Sequence, residues 1–315
     1  MTIVAVHGIG NHLSGRSPEQ AATELAGQWR LRLQHGFTTA GLADHRLPAL
    51  HAAYYAHHTH AAERQAAVPD VHAIDEREQS FVMAWALALG SPPLQERQGL
   101  MTAPLRQILS WVSLRRNIPI GTVIRLAVQM AGEVRRYLHV PQVRAAAQFT
   151  VAESIRQVRP RVVLAHSLGS VVAYEALHAH PELTVDCFVT LGSPLGLPGG
   201  IFDHLVPAPI ADRGARPAGV RYWVDLADTG DLVAIPRRLG DRFPVDQHAD
   251  TPMGRIDFHT FGAYLSSPLT AAAITPFIRN PTIRNQISWD FSRRVIDDPS
   301  SQVSPLHAGT LSSRD

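Results

Sequence analysis

The stretch Val162-Val163-Leu164-Ala165-His166-Ser167-Leu168-Gly169-Ser170 drives an apolar run straight into a serine, and Val171-Val172-Ala173-Tyr174 leave it with the pattern of a buried helix. A sharp strand-to-helix turn puts the serine hydroxyl at its tip. Ala165 and Gly169, two positions to either side, are small enough to let that turn close. The helix then aims unpaired N–H groups and a partial positive charge at the hydroxyl. A serine hydroxyl is a poor nucleophile by itself. It needs a base for its proton, a third group to orient the base, and N–H donors for the oxyanion that develops on an attacked carbonyl.

Three aspartates are candidates for the orienting group. Asp225 lies within a strand pattern and alternates with Trp223; Asp228 and Asp231 stand in the turn-rich loop just beyond it. Asp231 is favoured, because Leu232-Val233-Ala234-Ile235 can anchor its loop in the core. Asp228 best suits an ordinary turn residue. For the base, His259 ends the last strand pattern, and His248, in the polar loop Asp246-Gln247-His248-Ala249-Asp250, is its rival. His259 is favoured. One oxyanion donor is expected to be the N–H of Leu168 and the other that of Ile9, in the loop His7-Gly8-Ile9-Gly10. Gly8 and Gly10 let that loop approach a substrate closely. Ser193 is read as a turn serine, since Pro194 removes the N–H that an oxyanion would need.

These residues must be delivered by repeated strand–helix units. Residues 3–6 read as a buried strand, and Ser17-Pro18-Glu19-Gln20 open a helix with a capping box and a proline at its first turn. Further strands are expected at 50–55, 161–165, 185–191, 220–226 and 255–258, with helices at 142–158, after Ser167 and at 267–279. Such alternation implies a mostly parallel sheet with helices on both faces, and ligands then bind beyond the carboxyl ends of the strands. Residues 61–140 break the alternation with three successive helical patterns, at about 75–89, 104–114 and 120–138. They read as an all-helical insertion, either a packing subdomain or a lid over an apolar pocket. His57, His58 and His60 have no Cys, Asp or Glu at a matching spacing, so a solvated histidine-rich loop is expected there and no metal site. The tail, 296–315, reads as polar and weakly ordered.

Composition narrows the chemistry. All 29 basic residues are arginine, which excludes a lysine Schiff base and a phosphate-loop lysine. With 27 acidic residues the net charge is only +2, which gives no electrostatic case for nucleic acid. Cys187 is the single cysteine, and it stands in an apolar strand pattern. Neither a leader pattern nor a long apolar span is evident, so a cytoplasmic protein is expected.

Together these residues resemble the α/β-hydrolase superfamily, and more closely its lipase and inositol-deacylase-like branch. The chain order Ser167, Asp231, His259 matches that fold, as do His7-Gly8-Ile9-Gly10, Ala165-His166-Ser167-Leu168-Gly169, Leu191-Gly192-Ser193-Pro194 and Asp231 before its apolar run. The resemblance covers about residues 1–60 and 142–280 and leaves out the helical insertion and the tail. It implies an α/β-hydrolase core over 1–60 and 141–295, with a trimmed, mostly parallel sheet of about six strands and an all-helical cap at 61–140. It further implies a serine hydrolase with a Ser167, His259, Asp231 triad, an oxyanion hole at Ile9 and Leu168, and supporting residues His7, Gly8, Gly10, His166 and Gly169. The substrate would be a small hydrophobic ester or thioester, with acyl transfer or cyclisation as the alternative outcome and a non-catalytic ligand-binding role as a third. No cofactor is expected, and membrane contact would be peripheral at most.

Overall fold

In the computed structural model, residues 2–43, 47–60, 74–92, 102–252 and 259–279 are described, all within one compact unit, Met1–Pro281. Six strands form one sheet: β1 (Thr2–Val6), β2 (Ala49–Ala53), β3 (Val162–His166), β4 (Val185–Leu191), β5 (Val220–Ala227) and β6 (Gln247–Asp250). Their spatial order is β2-β1-β3-β4-β5-β6, and every neighbouring pair is parallel. The chain steps from β1 to β2 on one side and returns to β3 on the other. The sheet therefore reverses its winding between β1 and β3, and in such sheets ligands bind beyond the carboxyl ends of the strands at that point.

The central strands are buried on both faces, which is why they read as unbroken apolar runs. Strand alternation splits those side chains into two layers. Val4, Val6, Val163, Ala165, Phe188 and Trp223 belong to a core shared with α3 (Glu76–Ala88), α4 (Thr102–Arg116), α5 (Ile120–His139), α6 (Pro141–Val158) and α7 (Leu168–Ala179). On the other face lie α1 (Pro18–Thr39), α8 (Phe261–Ser266) and α9 (Pro268–Arg279), which pack on one another. The α1 N-terminus has the expected capping box: Ser17 Oγ accepts the Gln20 N–H, and Gln20 Oε1 accepts the Ser17 N–H.

The three insertion helices share the hydrophobic core of the α/β layers. A polar anchor of α5 is Glu175 of α7, which is 1% exposed. It accepts the Tyr137 hydroxyl from α5 at 2.5 Å and the guanidinium of Arg144 from α6.

Four local expectations need correction. The second strand is Ala49–Ala53, ending before Tyr54 and Tyr55. His57 and His58 fall in a short helix, α2 (Ala56–Thr59), where a loop was expected; His57 is exposed, as expected, whereas His58 and His60 are half-buried. Residues 247–250 form β6, where a loop was expected. As an edge strand paired on one side only, β6 needs no apolar alternation, and its sequence shows none. The segment after His259 is two helices, α8 and α9, where one was expected. The strand expected at 255–258 and the tail at 296–315 lie outside the described residues, as do residues 61–73 and 93–101 of the insertion.

Candidate active site

Ser167 sits between β3 and α7 with φ 52° and ψ −131°. A non-glycine residue in that region carries strain on the order of 1–3 kcal/mol, held in place only by its surroundings. Those surroundings are close. The Ser167 N–H donates to the Leu191 carbonyl at 3.0 Å. A Cβ built on Gly169 would lie 2.1 Å from the His7 carbonyl oxygen, and one on Gly8 would lie 2.5 Å from Ser167 Cβ. The absence of side chains at these two positions lets the turn and the 7–10 loop touch backbone to backbone.

His259 Nε2 lies 2.9 Å from Ser167 Oγ, and its Nδ1 lies 2.8 Å from Asp231 Oδ2. The Asp231 carboxylate can only accept, so Nδ1 carries the proton and Nε2 is free to receive the serine proton. The His259 and Asp231 side chains are 8% and 0% exposed. The other Asp231 oxygen accepts the backbone N–H of Val233 at 2.7 Å and of Ala234 at 3.4 Å. Leu232 and Val233 are buried, as the apolar run after Asp231 leads one to expect.

The rivals have other partners. Asp228 shapes the loop, accepting the Gly230 N–H at 2.5 Å on its side chain and the Asp231 N–H at 3.1 Å on its carbonyl. Asp225 accepts from Thr190 at 2.8 Å and pairs with His248 Nδ1 at 2.8 Å, while His248 Nε2 meets Asp250 at 3.2 Å. Burial opposes charge on His248, but its hydrogen bonds to these two carboxylates raise the imidazole above its ordinary value. Its ring nitrogens are committed to them. Ser193 shares a 2.7 Å hydrogen bond with Ser170 and caps the Leu195 N–H.

The 7–10 loop is tied at nearly every polar atom. Tyr55 donates its hydroxyl to the His7 carbonyl at 2.8 Å and its N–H to His7 Nε2 at 3.0 Å. His7 Nδ1 and the Asn11 amide both reach the Gly8 carbonyl, and Asn11 also reaches that of Ile9 at 3.0 Å. The Gly10 N–H donates to Glu133 at 2.8 Å. Among the described residues, no protein group accepts from the N–H of Ile9 or of Leu168. His166 is buried with neither ring nitrogen bonded among the described residues, and it packs 4.7 Å from the His259 ring and parallel to Phe261 at 5.2 Å. Burial, then the neighbouring His259 and His7, hold its imidazole well below the ordinary range, so it serves as a neutral flat wall behind His259.

No protein-family model, curated protein or solved structure matches this chain.

Sequence reasoning missed four residues here. Tyr264 donates its hydroxyl to Asp231 Oδ2 at 2.7 Å and accepts the Asp228 N–H at 2.9 Å. Trp85 of α3 donates its indole N–H to the Leu232 carbonyl at 2.7 Å. Asn11 and Glu133 hold the 7–10 loop. Only Tyr264 left a usable signal: Thr260 can cap a helix that starts at residue 261 and turns residue 264 inward. Among the described residues, no cluster of three His, Cys, Asp or Glu side chains could hold a metal ion, and no helix is long and apolar enough to cross a membrane.

Proposed function

We propose that this chain is a serine hydrolase of the α/β-hydrolase type, cleaving a carboxylic ester with an apolar acyl or alcohol part. The observation that carries the reading is the continuous relay Asp231, His259, Ser167, with hydrogen bonds of 2.8 and 2.9 Å. As Ser167 Oγ attacks the ester carbonyl carbon, His259 Nε2 takes its proton, and Asp231 stabilises the imidazolium across Nδ1. The carbonyl oxygen becomes the oxyanion and receives the N–H groups of Ile9 and Leu168. His259 then protonates the departing alkoxide, leaving an acyl-enzyme on Ser167. Water, deprotonated by the same imidazole, releases the acid and restores the serine.

An active-site fluorophosphonate tests this directly. Wild type should be labelled and Ser167→Ala should not, with ester turnover falling on the order of 10⁶-fold in the variant. Folded wild-type protein that takes no label would reject the enzyme reading in favour of a ligand-binding role. A dependence of turnover on acyl length in p-nitrophenyl esters is expected for an apolar pocket; equal rates from acetate to long chains would count against it.

A further inference from the structure

We propose that Glu133, on helix α5 of the insertion, is a positioning residue for this reaction: its carboxylate fixes the backbone of the 8–10 loop so that the Ile9 N–H faces the oxyanion. The proposal rests on the hydrolase reading but concerns a residue outside the triad and outside the oxyanion loop.

The loop carbonyls at 7, 8 and 9 are satisfied by Tyr55, His7 and Asn11. Its Gly10 N–H donates to Glu133 Oε1. Gly10 has φ +74°, and a Cβ there would lie 2.5 Å from Gln129 Nε2, one helical turn before Glu133 on α5. One face of α5 therefore clasps Gly10 from two successive turns. The other Glu133 oxygen lies 3.5 Å from the buried Thr59 hydroxyl, which also faces the Ala56 carbonyl at 3.4 Å.

Keeping an acid here is costly. Burial pushes the Glu133 carboxyl up to about 7, against the hydrogen bonds from Gly10, Gln129 and Thr59. No ion pair among the described residues offsets that burial. Glu133 is half-buried and Gly10 is exposed, so the carboxylate competes with water for the Gly10 N–H and holds it in one direction. Because α5 belongs to the insertion, those helices brace the reaction centre. Trp85 of α3 does the same for the loop of Asp231 by its bond to the Leu232 carbonyl.

The test compares Glu133→Met, which keeps the volume and loses the acceptor, with Glu133→Gln, whose amide oxygen can still take the Gly10 N–H. With a short-chain p-nitrophenyl ester, E133M should lose about 10- to 100-fold in kcat with KM within about twofold, a fraction of what a whole oxyanion donor contributes. E133Q should keep kcat within about threefold of wild type. Amide hydrogen exchange of the 8–10 peptide should accelerate in E133M and not in E133Q. Should E133M fail to fold, Glu133→Asp, one methylene too short, takes its place. An E133M kcat close to wild type, or an E133Q as impaired as E133M, would overturn the proposal while leaving the hydrolase reading intact. Wild type that neither labels nor turns over ester rejects that reading instead, and the exchange experiment still reports on the loop.

Discussion

Under the proposed function, replacing Gly8 by alanine should disable the proposed oxyanion hole while leaving the Ser167–His259–Asp231 relay in place. The added Cβ would lie 2.5 Å from Ser167 Cβ, 3.0 Å from His166 Nδ1 and 3.1 Å from the His166 carbonyl oxygen. Carbon atoms pack at about 3.5–4.0 Å, so the pair is too close by about 1 Å or more. Neither partner can yield cheaply. Ser167 is fixed by its strained turn and its bond to Leu191, and buried His166 packs against the rings of His259 and Phe261. The 8–10 loop is the softer body, and moving it carries the Ile9 N–H away from the carbonyl oxygen. A displacement of about 1 Å costs roughly 10² in rate, and complete loss of one donor roughly 10²–10³. We therefore expect kcat for ester hydrolysis to fall by about 10²- to 10³-fold. Fluorophosphonate labelling should slow, because phosphonylation uses the same oxyanion donors, but should still occur. The assay is steady-state kinetics beside a thermal melt. A folded Gly8→Ala protein within about threefold of wild-type kcat would refute the placement of the donor on this loop.

Gly169→Ala should be worse for the fold: helix propensity favours alanine by up to about 1 kcal/mol, but a Cβ at 2.1 Å from the His7 carbonyl oxygen forces β1 and α7 apart, so the melting temperature should drop. A neutral or raised melting temperature would count against that contact. Tyr264→Phe removes the 2.7 Å bond to Asp231 and orphans the Asp228 N–H, so a loss of about 1.5–3 kcal/mol in urea unfolding and roughly tenfold in kcat is expected. Glu175→Met leaves Arg144 without its buried partner and should destabilise by about 3–5 kcal/mol in the same assay; a loss under about 1 kcal/mol would deny Glu175 its anchoring role. Burial pulls His7 down to about 4, and its Nε2 must stay unprotonated to accept the Tyr55 N–H. Between its ordinary 6.5 and about 4 the folded chain thus binds fewer protons than the unfolded one, so the contribution of His7, about 3 kcal/mol, is complete above pH 6.5 and lost as pH falls toward 4. Nitrogen chemical shifts of labelled histidine should show His7 neutral at pH 5.5, and titration near 6.5 would contradict this.

How much of this was legible in the sequence depends on where the physical signal resides. The turn at Ser167 could be read because it demands small residues on both sides, and Ala165 and Gly169 supply them. The helix α1 start could be read because a capping box needs particular side chains at fixed offsets. Strand β6 could not, since a four-residue edge strand needs no apolar face, and helix α8, six residues long, offered only its Thr260 cap. The choice among aspartates is the sharper case. Among the described residues two His–Asp contacts stand at 2.8 Å, and in the sequence only the apolar run after Asp231 separates them. The distinction is topological. In a parallel sheet all the carboxyl ends share one edge, so Ser167 after β3, the 7–10 loop after β1 and Asp231 after β5 meet there, however far apart they lie along the chain. Asp225 lies inside β5 and pairs sideways with β6. The brace from the insertion shows the opposite limit. Trp85 bonds a backbone carbonyl and Glu133 a backbone N–H, groups that every non-proline residue has. Such bonds constrain the residue type of one partner only, so a single sequence carries no paired signal for them, although they join the insertion to both loops of the reaction centre.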